Sequence, residues 1–281
     1  MARQTKTDRL ARWATTLPPT LFLLAFVAGP ALIMLLASFR GPGEFGGLAP
    51  VFAHGRLALT ADAYRFLFSD IVYFDIFIKS LLVAVLTTLS SLILAYPVAW
   101  LIARSPKGRR DLLVVLVMLP FASNFLIRIY AWIMLLGPLN LLFSSWAVMI
   151  GMVYVHLPFM ILPLYVNLER HDPALLEAAR DLGAGAWTRF WRVTFPLSLP
   201  GVFAGGALVF IPVFGMFAVP ELLGGTGDVL IANLIKQQFL EDRDWPLGSA
   251  MSILLTLAVL ACAGLATLAA RRGFKGTEAV S

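Results

Sequence analysis

Six long apolar runs dominate the chain, and the polar positions between them set its topology. A helix needs about 20 mostly apolar residues to cross about 30 Å of hydrocarbon. Trp13 to Phe39 contains no Asp, Glu, Lys or Arg and predicts a first span at 17–39. Ser80 to Ala103 is equally free of these charges and predicts a second at 80–103. The third, 112–136, is interrupted only by Arg128. The fourth is 146–168, the fifth 202–222 with Glu221 at its end, and the sixth 247–270. An even number of spans puts the segments 1–16 and 271–281 on the same side. The first run is longer than the apolar core of a cleavable signal and has no clear small-residue cleavage site, so it reads as an uncleaved span.

The basic residues choose the side. Fifteen of the 22 Lys and Arg flank the face that carries both termini, the 104–110 connection and the 169–201 insert. Six lie on the other face, and Arg128 is within a span. By the positive-inside rule the first face is cytoplasmic. Composition agrees with lipid as the main solvent: 59% of residues are hydrophobic and only 14% charged, against about 25% in soluble domains. The formal charge of +6 is then a matter of topology rather than of nucleic-acid binding. The outer loop 40–79 is glycine-rich early, with a helix expected near 61–68, while 224–246 is charged.

The cytoplasmic insert reads as two short helices. Asp172 followed by Pro173 is a strong start, because Asp caps free N–H groups and Pro fits the first turn. Leu175, Leu176, Ala179 and Leu182 then recur on one face, and Gly183 stops the helix. The second helix carries Trp187, Phe190, Trp191 and Thr194 on one face, Pro196 is expected to end it, and Pro200-Gly201 to open the fifth span. Helices this short need tertiary packing. Composition leaves three homes for their apolar faces: the spans, the membrane surface or another protein.

The order Glu177-Ala178-Ala179, then Gly183, then Phe195-Pro196 and Pro200-Gly201 resembles the EAA loop of permease subunits in ATP-driven importers. Phe195 stands where Leu is more common. Further segments resemble spermidine/putrescine importer permeases, among them Ala95-Tyr96-Pro97, Leu126-Ile127-Arg128-Ile129-Tyr130, Leu157-Pro158-Phe159 and Arg243-Asp244-Trp245-Pro246. The likeness runs from about Tyr73 to the end of the sixth span and is to the first of two permease subunits, with a shorter connection near 137–145. It implies an all-α, six-span type I importer permease of the bacterial inner membrane. Its partners would be an ATP-binding subunit dimer, a second homologous permease, a periplasmic substrate-binding protein and membrane lipid. In such a complex Glu177, Ala178, Ala179, Gly183, Phe195 and Pro196 would couple to the ATPase. The cargo implied is a polyamine, with opines, phosphonates or another small polar solute as alternatives.

Chemistry within the chain is sparse. No G-x-x-x-x-G-K-[ST] stretch occurs, so ATP and Mg belong to a partner and no cofactor is expected here. His54, His156 and His171 are scattered, and the single Cys262 lies in an apolar run, so neither a metal site nor a hydrolase triad has support. Charge inside a membrane is costly and invites a functional reading. Asn124, Arg128 and Tyr130 are either structural groups near a broken helix or part of a pathway. Glu221 is either an ordinary outer charge or a carboxylate for a cationic substrate, in which case its loss should matter more than that of Asp228. An ion-coupled transporter would want carboxylates near mid-membrane, and only Glu221 comes close. A membrane-embedded enzyme would need a catalytic cluster, and none is found.

Overall fold

The computed structural model describes residues 6–50, 52–53 and 56–278. These are helical apart from loops and a two-residue hairpin in which β1 (Phe52–Ala53) pairs antiparallel with β2 (Arg56–Leu57). The first six helices are α1 (Lys6–Leu23), α2 (Gly29–Ser38), α3 (Asp62–Ser69), α4 (Ile71–Arg104), α5 (Lys107–Met118) and α6 (Phe125–Leu136). Then come α7 (Ser145–Glu169), α8 (Pro173–Asp181), α9 (Ala186–Arg189), α10 (Phe195–Phe214), α11 (Ala218–Leu223), α12 (Ile231–Leu240) and α13 (Trp245–Glu278). Five stretches are long and apolar enough to cross a membrane: Thr15–Ser38, Ile71–Arg104, Ser145–Glu169, Ala186–Phe214 and Trp245–Leu265. The bent pair Lys107–Ala122 and Phe125–Leu136 makes a sixth when counted as one span.

The chain divides into two compact units. One takes in the chain up to Ile71 together with Ile235–Thr256. In it the end of α2 is held to α3 by a 2.9 Å bond between the Ser38 and Tyr64 hydroxyls, and the Gly47 N–H donates to the Arg243 carbonyl at 2.7 Å. The other unit, Val72–Leu234 with the chain from Leu257, is built around α7, the most buried of the spans.

The packing of α10 on α7 follows from small residues. The buried positions Ser198, Gly201, Gly205, Val209 and Val213 recur every three or four residues, forming one stripe. A Cβ at Gly201 would come within 2.7 Å of the Asn167 Cβ, and one at Gly205 within 2.8 Å of the Met160 Sδ. The two backbones therefore meet through a Gly-x-x-x-Gly face. In lipid, where apolar burial offers no gain between helices, such close van der Waals contact is what holds them. A similar stripe on α4, Ser80, Ala84, Thr87, Ser91, Ala95 and Ala99, is buried along the same unit.

Four expectations differ from what is observed. The helix of the second span starts at Ile71 rather than 80, because nothing in 71–79 breaks it and Lys79 finds partners in Asp228 and the Gly227 carbonyl. The third span is not one helix but two, bent by 91°. Pro196 does not end the second insert helix: α9 passes through a π turn, Phe190–Thr194, into α10. The Phe195 N–H donates to the Phe190 carbonyl five residues back, and the widened turn makes room for the ring of Pro196. The same device precedes Pro30, where Gly29 donates to Leu24 across the π turn Leu24–Ala28. Finally, the fifth-span helix stops at Phe214, and Glu221 belongs to the separate α11.

Candidate functional site

The Glu177 insert is a capped, self-contained turn of structure. Asp172 Oδ1 accepts the Ala174 N–H at 2.9 Å, with Pro173 in the first turn of α8. At the other end Gly183 has φ +81°. Its N–H reaches the Arg180 carbonyl at 2.9 Å, and the Ala184 N–H reaches the Ala179 carbonyl at 3.0 Å. Those two bonds make a complete Schellman cap, which needs a left-handed residue at that place. A Cβ on Gly183 would meet nothing within 4 Å, so backbone conformation rather than space selects glycine.

The hairpin is anchored on one side and bare on the other. Phe190, Trp191 and Phe195 cluster with Tyr96 of α4, with ring centroids 5.1–6.2 Å apart. The Tyr96 hydroxyl bonds Ser198 Oγ at 2.9 Å, and Ser198 donates to the Phe195 carbonyl at 2.8 Å. His171 Nε2 donates to the Leu197 carbonyl at 3.1 Å, tying the start of the insert to α10. Burial holds the His171 imidazole below its ordinary range, aided by the nearby Arg104 charge and opposed by that hydrogen bond. By contrast Leu182 is 88% exposed and Trp187 74%. Glu177 and Ala178 are exposed, Ala179 and Phe195 half-buried and Pro196 exposed. Among the described residues no ion pair or hydrogen bond engages the Glu177 side chain. The expected apolar face of α8 is therefore left open at its tip.

The residues singled out inside the membrane are only partly brought together. Asn124 caps α6, its Oδ1 accepting the Leu126 N–H at 2.8 Å. Arg128, one turn on, is half-buried near the Phe121 and Phe125 rings, at 5.9 and 6.0 Å, and its buried Nε has no partner. Tyr130 is exposed, and its position two residues on turns it away from the Asn124–Arg128 face. Glu221 is exposed on α11, which packs against both α6 and α7.

Asp228, set against Glu221 only for its expected effect on uptake, has a structural setting that the sequence does not show. Asp228 is buried, accepts from Ser145 Oγ at 2.5 Å and from the Gly225 N–H at 3.1 Å, and faces Lys79 at 3.5 Å. Burial alone would raise its carboxyl, but those bonds and the Lys79 charge outweigh it and hold it below the ordinary carboxylate range. The bonds by which Tyr96, Ser198 and His171 anchor the insert are likewise not visible in the sequence. The aromatic spacing Trp187, Phe190, Trp191 was visible, but its partner on α4 was not.

Residues 72–273 match the family described as binding-protein-dependent transport system inner membrane component. The chain is 42% identical over 255 residues to the spermidine/putrescine transport system permease protein PotB of Salmonella typhimurium (strain SL1344), covering 85% of this chain and 86% of the relative. It is 41% identical over 255 residues to PotB of Escherichia coli (strain K12), covering 85% and 90%. Among solved structures it resembles the bacterial alginate ABC transporter in complex with alginate pentasaccharide-bound periplasmic protein. The TM-score is 0.68 at 18% identity, over 95% of this chain and 96% of that one, a likeness of fold alone.

Proposed function

Because the chain belongs to the family of binding-protein-dependent transport system inner membrane components, we propose that it carries a polyamine through an ATP-driven importer, as one of two homologous permease subunits. The chain itself is a transport subunit rather than an enzyme. The polyamine reading rests on identity above 40% to spermidine/putrescine permeases over most of both chains. The partners proposed are an ATPase dimer that uses ATP and Mg, a second permease and a periplasmic binding protein. Both termini and the Glu177 insert face the cytoplasm in this reading, on the strength of the basic-residue distribution.

One observation carries the mechanism: the second insert helix and the fifth span are one unbroken helix, Ala186–Phe214. Leu182 and Trp187 offer exposed apolar area for a groove on the ATPase subunit, with Glu177 beside them for a basic partner. When the ATPase dimer closes, a displacement of α9 passes along the backbone to α10, and through the Gly201–Gly205 face to α7. A break at Pro196 would have absorbed that motion. Asn124, Arg128 and Glu221 are the proposed pathway groups, with Glu221 drawing a cationic substrate.

The test is ATPase activity of the reconstituted complex with its binding protein loaded with spermidine, putrescine, an opine or a phosphonate. Stimulation by the polyamines alone is the expected result. Stimulation by another solute would overturn the cargo, and failure of the chain to recruit any ATPase subunit would overturn the coupling role.

A further inference from the structure

A cleft of about 360 Å³ lies between α8, α9 and the last turn of α4. Arg104, Arg180 and Arg189 line it, and its one acid is Glu177. Among the described residues none of the four forms an ion pair. The Arg104 guanidinium sits 4.6 Å from the centre of the Trp100 ring. The Arg189 Nε is buried and has no hydrogen-bond partner. Buried donors without acceptors are rare, so this cleft combines surplus positive charge with a donor that an anion would satisfy.

A second hollow, of about 810 Å³, shares Trp100 and Phe190 with the cleft and continues along α4 past Leu101, Pro97 and Ile93 to Leu92. Its wall is apolar except for Tyr96, whose hydroxyl is already engaged by Ser198. From Leu101 to Leu92 the helix rises about 14 Å, roughly half of the ~30 Å hydrocarbon thickness. The hollow is thus one leaflet deep.

We propose that the cleft and the hollow together bind one anionic phospholipid. Its phosphate lies between Arg104 and Arg189, and an acyl chain runs along α4 beside Ile93. An acidic peptide would match the charge but not a leaflet-deep apolar groove. Free phosphate would leave that groove without an occupant. The site rests on the importer reading only in being assigned to the inner leaflet. Leu182 and Trp187, the exposed apolar residues offered to an ATPase subunit, line neither hollow, while Glu177 lines the cleft and is common to both surfaces.

The test is native mass spectrometry of the full chain in detergent, titrated with phosphatidylglycerol, with phosphatidylcholine of the same acyl chains, and with inorganic phosphate. Wild type should hold phosphatidylglycerol about tenfold more tightly than phosphatidylcholine, and Arg104→Gln with Arg189→Gln should remove that preference. Arg104→Lys should retain it, and Ile93→Trp, which fills the hollow, should weaken both lipids. Equal retention of the two lipids by wild type would overturn the proposal, as would an unchanged preference in the double variant or displacement by inorganic phosphate. Co-purification of an ATPase subunit is scored in parallel. If the double variant loses that subunit along with the lipid, the cleft is a subunit contact and the lipid site falls. If wild type recruits no ATPase subunit yet keeps its lipid preference, the coupling reading fails and the lipid site stands.

Discussion

Pro120 and Pro196 both sit in apolar runs, yet the chain bends by 91° just after the first and continues as a helix through the second. After Pro120 two polar residues compete for the backbone. Ser123 Oγ donates to the Pro120 carbonyl at 2.8 Å, Ser123 turns extended, and Asn124 caps the next helix. Before Pro196 the turn widens instead, and the freed groups stay within the helix. Ser198 makes the same bond three residues back, to the Phe195 carbonyl at 2.8 Å, but its oxygen also meets the Tyr96 hydroxyl of α4, and here the helix runs on. Proline supplies the disturbance in both places. Which polar groups stand near enough to satisfy the freed backbone decides between a break and a continuous lever.

The comparison is broken most severely at the α7–α10 face. Gly205→Leu should cost about 3 kcal/mol or more through overpacking against Met160, seen as loss of the monodisperse peak in size-exclusion chromatography. Leu126→Trp on the exposed side of the broken span should leave that peak intact.

Asp228→Asn should cost about 2 kcal/mol, because a carboxylate bonded to Ser145 and Gly225 is replaced within a buried site. Since the native carboxyl lies below its ordinary range, its stabilising contribution is complete above about pH 4 and is lost as pH falls through the lowered value. Thermal midpoints from pH 7 to 3 should show that acid-side loss in wild type and not in the Asn variant. Glu221→Gln, at an exposed position, should leave the midpoints nearly unchanged and act on uptake instead.

Gly183→Val should strain the left-handed cap by about 1–2 kcal/mol and lower substrate-stimulated ATPase activity while the spans remain folded. Wild-type stimulation in this variant would show that the hairpin turn is dispensable for coupling. The smallest effect is expected at the break itself. Asn124→Ala removes one cap and should lower stability by about 1 kcal/mol, measured by thermal unfolding in detergent. A larger loss would mean that the bend, and not just its cap, depends on that side chain.

The spans were legible because lipid imposes a simple filter: about 20 apolar residues without charge, read directly from runs such as 146–168. The hairpin was legible for a local reason too, since Asp172-Pro173 and Gly183 act through bonds within one turn of themselves. The continuity at Pro196 was not legible, because a helix-breaking residue looks the same in sequence whether or not a π turn precedes it. Nor was Asp228, whose partners Lys79 and Ser145 are far away along the chain.

By itself, then, the sequence determined the number of apolar runs, the basic face and the two-helix insert, all of which depend on composition or on neighbours a turn away. Only the tertiary structure decided that the insert is rigidly joined to the fifth span, that Asp228 is an anchor, and that Arg104, Arg180 and Arg189 converge beside a leaflet-deep hollow. Those features rest on contacts between helices, where a methyl group or a single hydroxyl sets the approach, and no local pattern encodes which helix will be the neighbour.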